Sequence, residues 1–321
     1  MSSLVTVFGG SGFVGRYAVR ALAGAGHRIR VGVRRPNLGN YLVPMGAVGQ
    51  IQLVKADVTD EASVAAALKG ATAVVNLVGV LYESGHQRFQ TIHADAAAAI
   101  ASAAKAASVE TFVHVSAAGA AEDSESSYAR TKAEGERRVR EAFPAATILR
   151  PSLVFGPEDN FFNRFAALAR LFPVLPLIGG GHTRFQPAYV GDVAEAIAFC
   201  LVNNATAGKT YELGGPHVYT FRQLLELILV ETNRRRWLVP LPFPLAMLKA
   251  HVLQLLPNPL LTCDQVRLLR HDSVVAADAL TFADLGIEPD SVEAIVPAYL
   301  WRFRRGGQFD ANPRVRLSAL P

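Results

Sequence analysis

Cysteine is nearly absent: Cys200 and Cys263 stand far apart in a chain of 321 residues. Two thiols in unrelated settings exclude a disulfide framework, and each reads as a small core residue in a reducing compartment rather than as a nucleophile. Metal-ligand spacing is missing too. His93, His114, His182 and His217 are scattered and read as structural, so no metal site is expected. No apolar run reaches membrane-spanning length; the longest, Trp237 to Leu256, is broken by Pro240, Pro242 and Pro244 and interrupted by Lys249, His251 and Gln254. The chain opens directly on a strand pattern, leaving no room for a signal or transit peptide. Internal repeats, low-complexity linkers and the helix-turn-helix, zinc-finger and aromatic RNA-binding signatures are all lacking, so nucleic acid is not an expected partner.

What is present is apolar and basic. Half the residues are hydrophobic and the formal net charge is +5, with a mean hydropathy of +0.23 and a pI near 9.4. This balance favours an anionic cofactor, an acidic subunit or an anionic membrane surface, and a surface buried against a partner. The length suits two lobes sharing a cleft better than one core.

The most specific local signal is Val7-Phe8-Gly9-Gly10-Ser11-Gly12-Phe13-Val14-Gly15, which follows the apolar run Leu4 to Phe8 and opens a helix. Gly9 permits a tight turn off the strand, Gly12 a close approach of backbone to phosphate, and Gly15 close helix–sheet packing. Ser11, Phe13 and Val14 complete a loop whose free N–H groups face an anion. About 20 residues on, where an NAD site carries an acid, stand Arg34 and Arg35 after the strand His27 to Val33. A guanidinium suits a ribose 2′-phosphate, so NADPH (NADP) is the expected cofactor.

Strand and helix then alternate. Strands are expected over Gln50 to Lys55, Ala73 to Val78, Thr111 to Ser116 and Ala146 to Leu149; helices are expected from an Asp60 cap through Leu68, from Thr91 to Ala107 and from Ser127 to Glu141. Crossovers of this length demand a parallel sheet covered on both faces, an α/β, doubly wound Rossmann-type fold. Beyond Arg150-Pro151 proline and glycine become frequent. Asp192 to Leu201 is a further helix, Thr210 to Leu213 a strand, and Thr220 to Glu231 an amphipathic helix with Leu224, Leu225, Ile228 and Leu229 as its stripe. We expect a nucleotide-binding domain over residues 1–215, with a cleft-lining insert at about 155–187, and a smaller, mostly helical lobe over 216–321. Glu158 and Asp159, beside Asn160, read as caps of the following helix.

Tyr128 and Lys132 lie four apart on the helix after the fifth strand, so phenol and ammonium share one face. The ammonium favours phenolate and makes the pair a candidate acid–base device. Together the glycines at 9, 12 and 15, Asp57 and Val58 after the third strand, Gly79 after the fourth, Ser116, the Tyr128–Lys132 pair and Arg150-Pro151-Ser152-Leu153-Val154-Phe155-Gly156-Pro157 resemble the short-chain dehydrogenase/reductase superfamily in its extended or atypical form. The resemblance implies that Asp57 contacts adenine, that Tyr128 and Lys132 serve the nicotinamide end, and that the segment from Pro151 lines a substrate cleft. Active members carry Ser or Thr where this chain has Ala117, with Ser116 one place early, so a donor to the substrate oxygen is missing. The span from Ala117 to Tyr128 is also shorter than in active extended members.

More narrowly, Val7 to Arg16, Phe112 to Ser116, Tyr128 to Glu136, Pro151 to Asn160, Leu238 to Pro244 and Leu261 to Val266 resemble the family of NADPH-containing accessory subunits of respiratory complex I. That resemblance implies a structural NADPH, a vestigial Tyr128–Lys132 pair without turnover, and partner subunits near the junction of the peripheral and membrane arms. The location expected is peripheral, on the cytoplasmic side of the inner (plasma) membrane. The apolar, proline-punctuated stretch behind Arg234-Arg235-Arg236, and the tail Trp301 to Arg305, suit a partner surface or lipid headgroups. The competing expectation is a free NADP-dependent reductase or epimerase acting on a sugar nucleotide or other carbonyl compound, with Tyr128 as its acid/base.

Overall fold

The computed structural model describes residues 3–85 and 87–309. Seven strands, β1 (Leu4–Phe8), β2 (Arg28–Val33), β3 (Ile51–Lys55), β4 (Ala73–Asn76), β5 (Thr111–Val115), β6 (Thr147–Pro151) and β7 (Thr210–Leu213), form one sheet in the order β7-β6-β5-β4-β1-β2-β3. Every pairing in it is parallel. The strand order reverses between β1 and β4, the switch point at which ligands bind in such sheets. The central strands β1, β4, β5 and β6 are buried on both faces, as their apolar content requires, while the edge strand β3 exposes Gln52 and Lys55.

The longer helices are α1 (Phe13–Gly24), α2 (Glu61–Leu68), α3 (Ala96–Ala106), α4 (Ser127–Ala142), α5 (Phe162–Leu171), α6 (Val190–Val202), α7 (Phe221–Glu231) and α8 (Phe243–Leu253). Helix α1 packs on α6, while α2, α3 and α4 pack side by side. Between those three and the sheet lies a core of Phe8, Val74, Ile100, Phe112, Val139 and Ile148. Side chains set the helix starts: Asp60 accepts from the Ala62 N–H, Ser126 from the Ala129 N–H, and Thr220 exchanges bonds with Gln223 in a capping box.

Several elements depart from expectation. β4 stops at Asn76 rather than Val78, because the Asn76 Oδ1 takes the Val78 N–H and turns the chain. The helix expected over Thr91 to Ala107 is two pieces, a π-helical turn over Gln90–Asp95 and then α3. Residues Pro36–Met45 form a 3₁₀ run between β2 and β3, begun by Pro36 and pinned by the buried Leu42.

The chain divides into two compact units: residues up to Ser152 with Val190–Gly214 and Val275–Glu288, and Leu153–Tyr189 with Gly215–Val274 and the chain from Pro289. Residues 153–189, expected as an insert of the nucleotide domain, fall in the second unit because Phe155, Phe162 and Phe185 share a core with Phe221, Leu224 and Leu225. Residues 275–288 fall in the first unit, where Phe282 and Leu285 are buried and the Ala276 N–H donates to Glu212.

Candidate functional site

The glycine loop is built by close approach. Gly9 adopts φ +79°, and a Cβ there would stand 2.9 Å from the Leu77 carbonyl carbon; a Cβ on Gly15 would stand 2.2 Å from the Gly9 oxygen, and one on Gly12 3.2 Å from that same oxygen. Gly9 and Gly15 therefore admit no side chain. The N-cap of α1 is Gly12, which supplies no side-chain acceptor, and the first turn holds no acid. Its N–H donors and positive dipole end are left for an anion, which is the cradle a pyrophosphate fits.

Arg34 and Asp57 stand close enough beyond the ends of β2 and β3 for the guanidinium to act on the carboxyl. Arg34 is exposed just after β2. With the Gln87 amide oxygen turned toward it, the guanidinium donates to Gln87 at 2.7 and 3.2 Å. Asp57 Oδ1 accepts from the Thr59 N–H at 3.0 Å and from its hydroxyl at 2.7 Å. Those two bonds, and more weakly the charges of Arg34 and Lys55, hold the Asp57 carboxyl below its ordinary value. Tyr41, absent from the residues singled out in the sequence, donates from its hydroxyl to the Ser11 carbonyl at 2.6 Å.

The other end centres on α4. Lys132 is buried, and its Nζ donates to the Val115 carbonyl at 3.3 Å. Burial pushes the ammonium down to about 8, against the opposing pull of Glu136. A Cβ on Gly79 would lie 3.3 Å from Nζ and 3.7 Å from His93 Nε2, so Gly79, His93 and Lys132 converge. The Tyr128 ring is half-buried and meets His93 edge-on at 5.2 Å and Phe89 at 5.8 Å. His93 Nε2 accepts from the Val80 N–H, and its Nδ1 lies 3.1 Å from the Thr131 hydroxyl, which itself donates to the Ser127 carbonyl at 2.8 Å. Those partners require the neutral ring with its proton on Nδ1. Burial likewise drives the imidazole down to about 2. Ser116 is buried at the end of β5, its Oγ without a hydrogen-bond partner among the described residues. Ala117 follows it, and the Pro151 carbonyl accepts from the Ala118 N–H.

Contacts thus run from Gly9 to the Leu77–Val78 backbone, to Gly79, to Lys132 and on to Val115 beside Ser116. The cradle, the guanidinium and the orphaned buried hydroxyl fit a dinucleotide whose phosphates lie on α1 and whose sugar and ring extend toward Lys132. His93, Phe89, Thr131, Tyr41 and Gln87 were not found from sequence. His93 carries no motif, and only its placement on the π turn marks it.

In the second unit Asp159 is a buried hub: the N-cap position of α5 falls on Phe161, and Asp159, two residues before it, accepts through Oδ1 from the Phe161 and Asn163 N–H groups and through Oδ2 from the Gly156 N–H and the Tyr299 hydroxyl. Helix α8 turns Ala246 and Ala250 inward and leaves Leu245, Leu248 and Val252 outward, with Leu255 and Trp237 also exposed. The tail, read from sequence as suiting a partner surface or lipid headgroups, has three of its residues engaged within its own unit. Arg304 pairs with Glu231, the Arg234 guanidinium donates to the Phe303 carbonyl, and Arg302 donates to Pro157 and Asn163. Among the described residues no helix is long and apolar enough to cross a membrane.

Residues 5–214 match the NAD dependent epimerase/dehydratase family. The NADH dehydrogenase [ubiquinone] 1 alpha subcomplex subunit 9, mitochondrial, of Arabidopsis thaliana is 37% identical over 316 residues, covering 95% of this chain and 79% of its own. The NADH-ubiquinone oxidoreductase 40 kDa subunit, mitochondrial, of Neurospora crassa is 32% identical over 309 residues, covering 96% of this chain and 81% of its own. Among solved structures, an NADPH-dependent quinone oxidoreductase from Escherichia coli complexed with NADPH superposes with a TM-score of 0.75 at 22% identity, over 92% of this chain and 99% of that one. That likeness is one of fold: an NAD(P)-binding Rossmann sheet.

Proposed function

The chain belongs to the NAD dependent epimerase/dehydratase family and, within it, stands with the subunit 9 relatives of NADH dehydrogenase; from that premise we propose that it is a nucleotide-holding accessory subunit of an NADH:ubiquinone oxidoreductase. The nucleotide proposed is NADPH, retained as a structural element and not turned over. One observation carries this reading. An intact phosphate cradle with a guanidinium beyond β2 coexists with Ala117 at the position where a reductase of this family needs a hydroxyl. Without that donor nothing polarises a substrate oxygen, and a Tyr128–Lys132 pair alone lacks its electrophilic partner.

In this proposal Gly9, Gly12 and Gly15 with the α1 N–H groups hold the pyrophosphate, Arg34 holds the ribose 2′-phosphate, and Asp57 and Val58 meet the adenine. Tyr128 and Lys132 bind the nicotinamide ribose, beside Gly79, Ser116 and Pro151. When bound, such a cofactor supplies a hydride; here the protein's contribution is binding and exclusion of water.

Attachment is proposed through the exposed apolar face of α8. From Thr232 to Cys263 the chain holds no carboxylate, while Arg234, Arg235, Arg236 and Lys249 are cationic. Such a face suits a partner subunit at the junction of the two arms, with its basic flank toward anionic headgroups. The proposed location is peripheral, on the cytoplasmic face of a plasma membrane; the relatives' printed names say mitochondrial.

The test is native electrophoresis of membranes solubilised in mild detergent, run with the wild type and with Tyr128→Phe. Both should comigrate with the oxidoreductase and sustain NADH-driven respiration. A wholly free pool, or a carbonyl-reducing turnover lost with the phenol, identifies a free reductase instead.

A further inference from the structure

Resting on the reading of the β1–α1 corner as a nucleotide site, we propose that Tyr41 is a specificity latch: it straps the 3₁₀ segment to the glycine loop and presents Arg16 as a second guanidinium, opposite Arg34, to the 2′-phosphate of the adenosine ribose. Three observations in the first unit carry this.

First, Tyr41 joins two pieces of chain distant in sequence. Its hydroxyl donates to the Ser11 carbonyl between Gly9 and Gly12, while its own segment is anchored by the buried Leu42 and by Gly39 against Leu53 of β3.

Second, the Arg16 guanidinium lies over the Tyr41 ring with Cζ 5.1 Å from its centre, and Arg16 Nε reaches the Gly12 carbonyl at 3.4 Å. Stacking on the ring and the backbone contact both restrict this long side chain. In a sheet of this order the adenosine ribose lies off the carboxyl end of β2. That places its 2′ position between Arg34 and the segment carrying Tyr41.

Third, the first half of the domain holds no carboxylate before Asp57, yet carries Arg16, Arg20, Arg28, Arg30, Arg34, Arg35 and Lys55. Asp57 itself is engaged by Thr59. Of these cations, Arg16 opens α1 and Arg34 follows β2, while Arg30 is turned to the Ala67 and Lys69 carbonyls; a stretch this basic favours the more highly charged of the two dinucleotides.

Tyr41 is thus a positioning residue, acting through Arg16. The test measures dissociation constants for NADPH and NADH on the full chain, wild type against Tyr41→Phe, Tyr41→Ala and Arg16→Ala. Tyr41→Phe keeps the ring under Arg16 and loses only the tether, so NADPH affinity should fall about fivefold. Tyr41→Ala and Arg16→Ala should each cut the NADPH-over-NADH preference about tenfold or more, with NADH affinity little changed. Equal losses for both dinucleotides would make Tyr41 a structural residue and overturn the latch; so would an unchanged preference in the two alanine variants. A wild type that binds neither dinucleotide, or favours NADH, would sink the underlying NADPH reading instead.

Discussion

His93 shows what a single buried side chain commits the molecule to. Its ring is neutral because burial opposes charge and the Lys132 ammonium repels a second cation; His114, buried beside Asn76, is likewise held down to about 3. In the unfolded chain both titrate near 6.5, so below that pH the unfolded state binds protons that the native state refuses. Their contribution to stability is present above pH 6.5 and lost progressively as the pH falls toward 2–3. Urea unfolding at pH 7.5 and pH 5 should differ by about 2 kcal/mol for each ring. His93→Gln, which keeps a neutral donor and acceptor, should remove about half of the difference and leave the His114 share; an unaltered pH profile in that variant would show that the ring is not held neutral. Lys132 acts in the same sense at higher pH: its folded value near 8 means that from pH 8 to 10.5 the unfolded chain carries a proton the native one has shed. Stability from this group therefore rises across that window, and Lys132→Met should remove the rise.

At the scale of elements, the site depends on how α4 is seated. Glu136, buried one turn beyond Lys132, accepts two bonds from Arg150 of β6 at 2.9 and 2.7 Å, and Arg150 reaches Glu212 of β7 at 3.3 Å. Removing one member strands a buried charge. Arg150→Ala should cost about 3–5 kcal/mol in chemical denaturation, and a loss below about 1 kcal/mol would show the pair to be incidental. On its other side α4 presses Gly135 against the π turn, where a Cβ would meet the His93 oxygen at 2.0 Å. Gly135→Ala should therefore destabilise the protein by about 1–3 kcal/mol and weaken nucleotide binding, read by thermal unfolding with and without NADPH. The same elements show what a linear sequence conceals. The parallel sheet, the glycine cradle, the Asp60 cap and the Tyr128–Lys132 spacing are local patterns, and local patterns are legible. The π turn is not: nothing in Gln90–Asp95 announces it, because it rests on bonds from His93 to Val80 and Thr131. Nor was Tyr41 legible, since its partners Ser11 and Arg16 lie 30 and 25 residues upstream. The membership of 153–189 in the second unit depended on Phe155, Phe162 and Phe185 finding Phe221, a contact no periodicity encodes.

For the whole molecule, the central claim is electrostatic. A helix start without a side-chain cap and the guanidinium of Arg34, beside an Asp57 already engaged by Thr59, are an arrangement that water satisfies poorly and a phosphorylated dinucleotide satisfies well. A ligand held at a hundred times its dissociation constant adds about 2.7 kcal/mol to stability, so NADPH should raise the unfolding temperature by several degrees. The exposed α8 face makes a separate demand at this scale. Replacing Leu245, Leu248 and Val252 together by Ser should leave the fold and nucleotide content unchanged, because these side chains face outward, yet release the chain from solubilised respiratory assemblies on native gels. Retention in the assembly would place the contact elsewhere. The most direct measurement is to purify the protein without added nucleotide, denature it, and identify by mass spectrometry what is released. The account predicts NADPH or NADP⁺ at close to one equivalent; a protein that releases nothing and also fails to take up added NADPH would contradict it.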